Sequence, residues 1–355
     1  MGNLADVPDG LVQGLHHITL VTSNEEVNRR FYTEILGLRR VKLTVNQDDI
    51  FHRHLFYANE KAETGSAITF FEWPDLPKGA VGLSSPHHLS YAVSSLEALP
   101  KWRNWLRSKG VSVAGSFARG ERVSLYLRDP DGVIVEITNR NHEQITQDYL
   151  RELQRDGSPV SGIDPAMRFT RFDHASPVSL NPDVTVRFLA RLLGLKSLFK
   201  LKNPDQNDSA IVGIGREEQG DFLRYLASST APLGEVGTGS VHHIAMAVED
   251  DDAQQTVLKR LNSFGVQNSG VVDRFWFKSL YFHDPDGNLL EIATKGPGYS
   301  ADEPFEKLGS TLVLAPWLET RRSEIEGALK NLDASNARSW PPDFPAAPTP
   351  PESLA

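Results

Sequence analysis

The sequence contains no cysteine, no run of basic residues and no long apolar stretch, and each absence narrows what the chain can do. Without cysteine there are no disulfides, thiolate metal sites or cysteine nucleophiles, so any metal has to rest on histidine, aspartate or glutamate. The formal net charge of -9 argues against a nucleic-acid partner. No segment reaches the roughly 18 to 20 apolar residues of a membrane helix, and the first residues lack the layout of a signal peptide. We therefore expect a soluble protein of the cytoplasm with no membrane partner.

The 355 residues, 39% of them apolar, are enough for two domains with cores of their own. We place one domain at residues 14–140 and a second at 166–298. A trailing segment, 299–355, ends in a proline-rich stretch from Trp340 that we expect to be disordered. Its first part, Tyr299 to Leu318, is expected to close over the functional site, as specificity loops often do.

An internal repeat relates the two halves of the chain. His88 and Glu136 recur as His243 and Glu291, because 243 minus 88 and 291 minus 136 both equal 155. A second register of 157 positions relates His17 to His174 (174 minus 17). Other residues that repeat at 155 positions are His87, Arg119, Tyr126 and the turn Asp129-Pro130-Asp131-Gly132, which return as His242, Arg274, Tyr281 and Asp284-Pro285-Asp286-Gly287. The halves are therefore copies of each other.

Each half divides again, giving four units near residues 14–77, 84–140, 166–230 and 239–297. The last unit reads as strand, helix, then strands: Val241 to Val248, Asp251 to Phe264, Arg274 to Phe282 and Asn288 to Thr294. A single curved sheet of four strands cannot close its own core, so the units should pair around a concave cup. The predicted fold is α+β, with four βαβββ modules pairing into two domains.

Glu291 and Glu136 each lie in the middle of an aliphatic strand. An ionised carboxylate buried there costs several kcal/mol unless a positive group compensates it. In both copies a histidine precedes the glutamate by 48 positions, since 291 minus 243 equals 136 minus 88. This duplicated spacing favours a metal site over a solvent-exposed glutamate.

Each of three units opens with two adjacent histidines, and neighbouring side chains of a strand point to opposite faces. By register with the unpaired His174, the members that face the cup should be His17, His88 and His243. The other members, which we expect to pack outside or to hydrogen-bond behind the ligands, are His16, His87 and His242. Two imidazoles and one carboxylate form a facial triad that suits non-haem Fe(II) and oxygen, although the ligands alone also permit zinc or nickel.

The motifs GLHHITLVT, FYTEILGLRRVK, VHHIAMAV and DRFWFKSLYFHDPDGNLLEIAT together resemble ring-cleaving dioxygenases of the vicinal oxygen chelate superfamily. The likeness is greatest to the hydroquinone and chlorohydroquinone 1,2-dioxygenases, and it covers nearly residues 14–330. The resemblance implies a glyoxalase-like fold with Fe(II), or Mn or another divalent metal, held by His17, His243 and Glu291. It also implies that Arg274 and Tyr281 hydrogen-bond the substrate or the bound oxygen, and we count His242 with them among the candidate catalytic residues.

A second set of the same residue types departs from this family pattern. It comprises His88, Glu136 and His174, with Arg119 and Tyr126 beside them. The set is either a second metal site or a relic of the duplication that carries no metal, and we favour the relic. The pairing of units stays open as well, because His174 would replace His17 beside His243 if units adjacent in sequence paired.

The leading function is an Fe(II)-dependent dioxygenase that inserts O2 into a hydroquinone or catechol and opens its ring. Two alternatives are a glyoxalase-like zinc or nickel isomerase or lyase, and a metal-free protein that binds aromatic ligands. Trp73, Phe275, Trp276 and Phe277 are candidates for aromatic contacts with the substrate. His54 has no comparable spacing and is expected to be solvated or hydrogen-bonded in an ordinary way. Association of like chains is left open.

Overall fold

The four predicted units are present, each as a strand, a helix and a run of strands. The computed structural model describes residues 7–119, 121–140, 151, 153, 161–202, 210–216 and 220–348. The first two units contain β1 Leu15–Thr22, α1 Glu25–Arg30, β2 Arg39–Asn46, β3 Asp49–Ala58, β4 Ala67–Glu72, β5 His88–Val93, α2 Ala98–Ser108, β6 Ala114–Arg119, β7 Arg122–Arg128 and β8 Ile134–Arg140. The last two contain β9 Phe169–Ser176, β10 Val178–Ser179, α3 Pro182–Leu193, β11 Lys196–Lys202, β12 Ala210–Arg216, β13 Gly220–Ala227, β14 Val241–Val248, α4 Asp251–Ser263, β15 Asn268–Asp273, β16 Lys278–His283 and β17 Leu289–Thr294. The trailing segment carries α5, Arg322–Ser335, after three short 3-10 turns.

The strands form two sheets, and each sheet joins units that are distant in sequence. The first sheet has the order β15-β16-β17-β14-β1-β4-β3-β2, so it joins the fourth unit to the first. The second has the order β11-β12-β13-β9-β5-β8-β7-β6, with β10 beside β13, and joins the third unit to the second. The units meet through the antiparallel pairs β1 with β14 and β5 with β9. The α+β fold of four modules in two sheets is confirmed.

The two units of each predicted domain, 14–140 and 166–298, therefore lie in different sheets. The reason is visible in the linkers between units. The bridges from Lys78 to Thr238 and from Leu83 to Leu233 show that the two linkers run beside each other as the chain crosses between sheets. The predicted domain boundaries describe the repeat along the sequence, whereas each sheet contains one unit from the first half and one from the second half.

Alternation along the central strands separates a core face from a cup face. In β1, Ile18 and Leu20 belong to the hydrophobic core, and His17 and Thr19 point to the opposite face. The helices cover the core face. In α2, for example, Trp102 and its neighbours one turn away are buried in the same core. The cup face is thus left for polar and aromatic side chains.

The prediction of one strand from Arg274 to Phe282 is wrong at its start. Arg274 to Phe277 form the turn between β15 and β16, closed by a hydrogen bond from the Arg274 N–H to the Phe277 carbonyl at 2.9 Å. Phe275 has a φ of 74°, a left-handed backbone that a strand does not allow. The turn directs Trp276 and Phe277 into the first cup, where both are buried.

The trailing segment packs against the first sheet. Tyr299 and Leu308 are buried in one cluster with Trp276 and Phe277. The ammonium group of Lys42 on β2 donates to the Tyr299 carbonyl at 2.8 Å, and it forms ion pairs with two carboxylates of the segment. Part of the segment that we expected to close over the cup therefore packs behind Trp276 and Phe277 and supports the wall of the cavity from outside.

The beginning of the proline-rich end also differs from the expected disorder. Trp340 and Phe344 are partly buried against the main core, and Phe344 lies 5.9 Å from the ring of Phe31. Both are aromatic residues within the proline-rich stretch, and they supply the apolar surface that holds it. Residues 349–355 lie outside the described part of the chain. Among the described residues, no helix is long and apolar enough to cross a membrane.

Candidate metal centre

The first sheet brings together His17 of β1, His243 of β14 and Glu291 of β17. The Nε2 atoms of His17 and His243 lie 3.3 and 3.0 Å from Oε2 of Glu291, and 3.4 Å from each other. Two ligands at right angles around a metal with bonds of about 2.1 Å would be about 3.0 Å apart. The three atoms therefore converge on one point at a spacing that a metal ion fits. The alternative in which His174 replaces His17 is excluded, because His174 lies in the other sheet.

Among the three residues of this set, Glu291 is the one whose charge has to be balanced by a nearby cation. Its side chain is fully buried, and Oε2 has no hydrogen-bond partner of normal geometry, whereas Oε1 accepts a bond from the Ser279 hydroxyl at 2.6 Å. Burial alone would raise the pKa of Glu291, but the adjacent His17 and His243 outweigh it and hold that pKa well below its usual range. Burial lowers the pKa of His243. A carboxylate and a neutral imidazole are the forms that bind a metal, so the residues present fit one.

A second histidine stands behind each imidazole. Nδ1 of His16 lies 2.8 Å from Nδ1 of His17, and Nδ1 of His242 lies 2.8 Å from Nδ1 of His243. His16 also contacts the Thr294 carbonyl through Nε2, at 3.1 Å. Burial lowers the pKa of both His16 and His242 to about 3. These neutral rings can fix the orientation of the two inner imidazoles, as outer partners of metal ligands commonly do.

The triad opens into a cavity of about 30 Å³ between the first and fourth units. Phe71 of β4 and Trp276 and Phe277 of the turn before β16 form aromatic walls. Phe277 lies 5.2 Å from the ring of His17. Tyr281 also lines the cavity, with its ring 5.5 Å from that of His243. His242 is not among the described residues that line it, and its ring contacts His243 instead.

Arg274 stands at the mouth of this cavity. Its guanidinium binds the exposed carboxylate of Asp48 across the mouth, with Nη2 to Oδ2 at 2.7 Å, and lies 5.7 Å from the centre of the Tyr281 ring. The Gln47 amide donates to the Arg274 carbonyl at 3.0 Å. Burial and the charge of Glu291 raise the pKa of Tyr281, whose phenol therefore stays protonated at neutral pH. The cavity thus carries one fixed positive charge and one hydroxyl donor beside the triad.

Sequence comparison agrees with this arrangement. Residues 14–137 and 171–292 match the Glyoxalase/Bleomycin resistance protein/Dioxygenase superfamily. The chain belongs to this superfamily. Within it, MhqA of Bacillus subtilis, whose name marks it as a candidate ring-cleaving dioxygenase, is 33% identical over 90% of this chain and 98% of its own. The chlorohydroquinone/hydroquinone 1,2-dioxygenase of Sphingobium indicum is 30% identical over 88% of this chain and 95% of its own.

Solved structures of the superfamily show the same fold. The crystal structure of a candidate dioxygenase from Bacillus subtilis has a TM-score of 0.76, with 30% identity, over 90% of this chain and 96% of that one. Glyoxalase I from Zea mays, at 18% identity and a TM-score of 0.57 over 79% of this chain and 92% of its own, shares the fold alone. The predicted resemblance and the enzyme class, an oxidoreductase of the ring-cleaving dioxygenase type, are confirmed by these relatives.

The second sheet contains another set of the same residue types, His88, Glu136 and His174. Their ligand atoms also lie within 4.8 Å of one another, and all three side chains are buried. Tyr126 lies beside this set, with its ring 5.9 Å from that of His88. Arg119 ends β6, but its side chain lies outside the described residues. Each sheet of this superfamily member thus contains one complete set of two histidines and one glutamate.

Sequence reasoning missed His54, which lines the first cavity. Its buried ring lies 4.1 Å from that of Phe56 and 4.4 Å from that of Phe71, and Nε2 lies 2.9 Å from the Thr69 hydroxyl. Burial lowers the pKa of His54 well below its usual range. The alternation of His54 and Phe56 along β3 could have placed both side chains on one face.

Proposed function

We propose that this superfamily member is an Fe(II)-dependent dioxygenase that opens the ring of a hydroquinone or catechol with O2. The observation that carries the proposal is the buried Oε2 of Glu291, which lacks a hydrogen-bond partner and faces two imidazole nitrogens at the floor of an aromatic cavity. The names of the relatives, ring-cleaving dioxygenases and a hydroquinone dioxygenase, support the same reaction.

His17, His243 and Glu291 would hold the metal, and they would leave the positions on the cavity side open. When bound, Fe(II) supplies adjacent sites for the diol and O2 and the electron transfer that makes O2 reactive. His16 and His242 hold the two imidazoles in place from behind. Mn(II) or another divalent metal could bind the same ligands, so the identity of the metal is part of the proposal.

The cavity walls fit a planar phenol. Phe71, Trp276 and Phe277 offer ring faces for stacking, and water finds little space among them. The guanidinium of Arg274 would attract a phenolate oxygen and stabilise negative charge that builds up as the ring is attacked. The protonated phenol of Tyr281 would donate a hydrogen bond to the same region.

Substrate entry requires the mouth to open. A volume of about 30 Å³ accommodates about two water molecules and no aromatic ring. The ion pair of Arg274 with Asp48 is the contact best suited to give way, because the Asp48 side chain is 71% exposed and an exposed pair contributes only about 0 to 1 kcal/mol. We therefore propose that Arg274 exchanges Asp48 for the substrate oxygen on binding.

Oxygen uptake with labelled gas tests the proposal. Protein loaded anaerobically with Fe(II) is mixed with hydroquinone or catechol under 18O2, and the ring-opened product is analysed by mass spectrometry. We expect incorporation of two labelled atoms for the wild type and a loss of at least about 10³-fold in rate for Glu291→Gln. An exposed glutamate of the described chain, Glu324, provides the control Glu324→Gln, which should keep wild-type activity.

Three outcomes would contradict the proposal. Full ring opening by protein that contains no metal would show that the reaction does not need one. Oxygen-independent turnover of a thiol adduct would identify a zinc or nickel isomerase of the glyoxalase kind. Binding of the aromatic ligand that survives His243→Ala unchanged, without any turnover by the wild type, would identify a metal-free binding protein.

A further inference from the structure

The second sheet contains a triad that the proposed reaction does not use. Nε2 of His88 lies 3.1 Å from Oε2 of Glu136, and Nε2 of His174 lies 3.2 Å from the same oxygen. The three side chains are at most 2% exposed, so water does not solvate them freely. The geometry repeats that of His17, His243 and Glu291, even though the two sets lie in separate sheets.

Each member of this second triad is held from behind. Nδ1 of His174 lies 2.6 Å from Oδ2 of Asp173, and Nδ1 of His88 lies 2.9 Å from Nδ1 of His87. The Ser124 hydroxyl donates to Oε1 of Glu136. A carboxylate behind a histidine fixes its tautomer and raises its basicity, which is a recurring feature of metal-binding histidines. Among the described residues, no carboxylate lies behind His17 or His243 in this way. The second set therefore has one histidine that is held by a charged partner, which the first set lacks.

The tautomer of His174 follows from its neighbours. Asp173 is paired with the guanidinium groups of Arg122 and Arg140, both at 2.6 Å, so it is an ionised acceptor. Nδ1 of His174 must therefore carry a hydrogen and donate it. In a neutral imidazole, Nε2 then presents a lone pair toward Oε2 of Glu136, which also has only lone pairs to offer. A proton or a metal ion therefore has to lie between them.

We propose that His88, Glu136 and His174 bind a second divalent metal ion. Three donor atoms that converge in a buried site favour a metal over a single proton, which would pair with only one nitrogen. The set of two nitrogens and one oxygen suits Fe(II), Mn(II) or Zn(II). The Ser176 hydroxyl, which lies 3.1 Å from Nε2 of His88, is the nearest neutral oxygen to complete the coordination. This proposal takes the place of the expectation that the set is a relic without metal, and it does not rest on the proposed function.

The cup around this triad is built differently from the first one. Phe56, which lines the first cavity, pairs with Thr69, whereas the matching positions of the third unit are the cross-strand pair Gly213 and Arg224. The ring of Phe199 fills the space over Gly213, since a Cβ there would lie 2.2 Å from it. The buried guanidinium of Arg224 lies 5.1 Å from this ring.

Phe199 and Arg224 therefore occupy the side from which an aromatic substrate would approach. The second metal would stabilise the sheet and would take no part in ring opening.

Metal counting tests this inference. The full chain, freed of metal with a chelator, is titrated anaerobically with Fe(II), and the bound metal is counted by elemental analysis and by native mass spectrometry. We expect two ions per wild-type chain, one ion for Glu136→Gln and one for the matched variant Glu291→Gln. Oxygen consumption should survive in Glu136→Gln, within about twofold, and should be lost in Glu291→Gln. Asp173→Asn, which leaves all three ligands in place, should weaken metal binding at the second triad about 10- to 100-fold.

One ion per wild-type chain at saturating Fe(II), unchanged by Glu136→Gln, would overturn the inference and show that a proton bridges the second triad. The wild-type count decides the matter even if Glu136→Gln does not fold. Failure of the proposed ring opening would appear separately, as two bound ions in a wild-type protein that consumes no oxygen.

Discussion

Replacing Lys42 by methionine is expected to loosen the segment that packs behind Trp276 and Phe277 of the first cavity. The Lys42 side chain is fully buried, and its ammonium lies 2.7 Å from Oδ1 of Asp302 and 2.6 Å from Oε2 of Glu303. Methionine fills a similar volume but leaves both carboxylates without their counter-charge. Removing one partner of a buried ion pair costs about 3 to 5 kcal/mol. Because the side chains of Asp302 and Glu303 are 19% and 7% exposed, water can replace part of the loss, so we expect about 3 kcal/mol.

Thermal unfolding and hydrogen exchange measure this effect. At about 2 °C per kcal/mol, Lys42→Met should lower Tm by roughly 6 °C. Exchange should rise over residues 299–309, and KM for the aromatic substrate should rise with it, since Tyr299 and Leu308 pack against Trp276. The control is Lys61→Met, because Lys61 is 78% exposed and its ion pair is long, at 3.8 Å. A Tm within 1 °C of the wild type, with unchanged exchange over the segment, would refute the reasoning.

Three further predictions concern the mouth, the wall and one buried carboxyl. Arg274→Ala should lower kcat/KM about 10²- to 10³-fold, as for loss of an oxyanion donor. Asp48→Asn should change kcat/KM less than about threefold. Equal losses of kcat/KM in the two variants would mean that only the ion pair matters. His54→Leu should raise KM roughly tenfold, through about 1.4 kcal/mol of lost ring contact, and its metal content should equal that of the wild type. A loss of bound metal in this variant would contradict the view that His54 only lines the cavity. Burial raises the pKa of Asp284 to about 6 from an ordinary 3.8, so the folded state holds a proton that the unfolded state has lost. The contribution of Asp284 to stability should therefore fall by up to about 3 kcal/mol as pH rises from 4 to 6, and an unchanged pH dependence of the unfolding free energy in Asp284→Asn would exclude this contribution.

The residues that face the two cups could be predicted from sequence because local rules fix the direction of each side chain. Alternation along a strand decides which histidine of each pair faces the cup, and the aliphatic neighbours of Glu291 show that it is buried. The repeat adds a second instance of the same spacing, which a chance pattern would not supply. Strand β14 has the predicted bounds, Val241–Val248, and helix α4 begins at Asp251 as expected, with the Asp250 side chain accepting from the Ala253 N–H at 2.9 Å.

The pairing of units could not be predicted, because no local signal distinguishes His17 from His174 as the partner of His243. The choice is made by contacts between β1 and β14, which are more than 200 residues apart along the chain. The packing of Tyr299 behind Trp276 and the ionic contacts of Lys42 also join residues that are remote in sequence. His54 was passed over for the related reason that its role depends on the strands beside it.

The turn at Phe275 shows a different limit. The aromatic run from Phe275 to Phe277 has the composition of a strand, and only the left-handed backbone of Phe275 breaks it. The residue type does not predict that conformation, since phenylalanine rarely adopts it. The same turn places Phe277 beside His17, so part of the site's shape comes from a local exception to propensity.

The central claim is that His17, His243 and Glu291 hold one iron ion at the floor of the aromatic cavity. Crystals grown anaerobically with Fe(II), with diffraction measured on both sides of the iron absorption edge, test it most directly. The account predicts an anomalous peak among Nε2 of His17, Nε2 of His243 and Oε2 of Glu291. Crystals that still convert hydroquinone, but show no iron at this point or a Glu291 side chain turned away from both imidazoles, would contradict it.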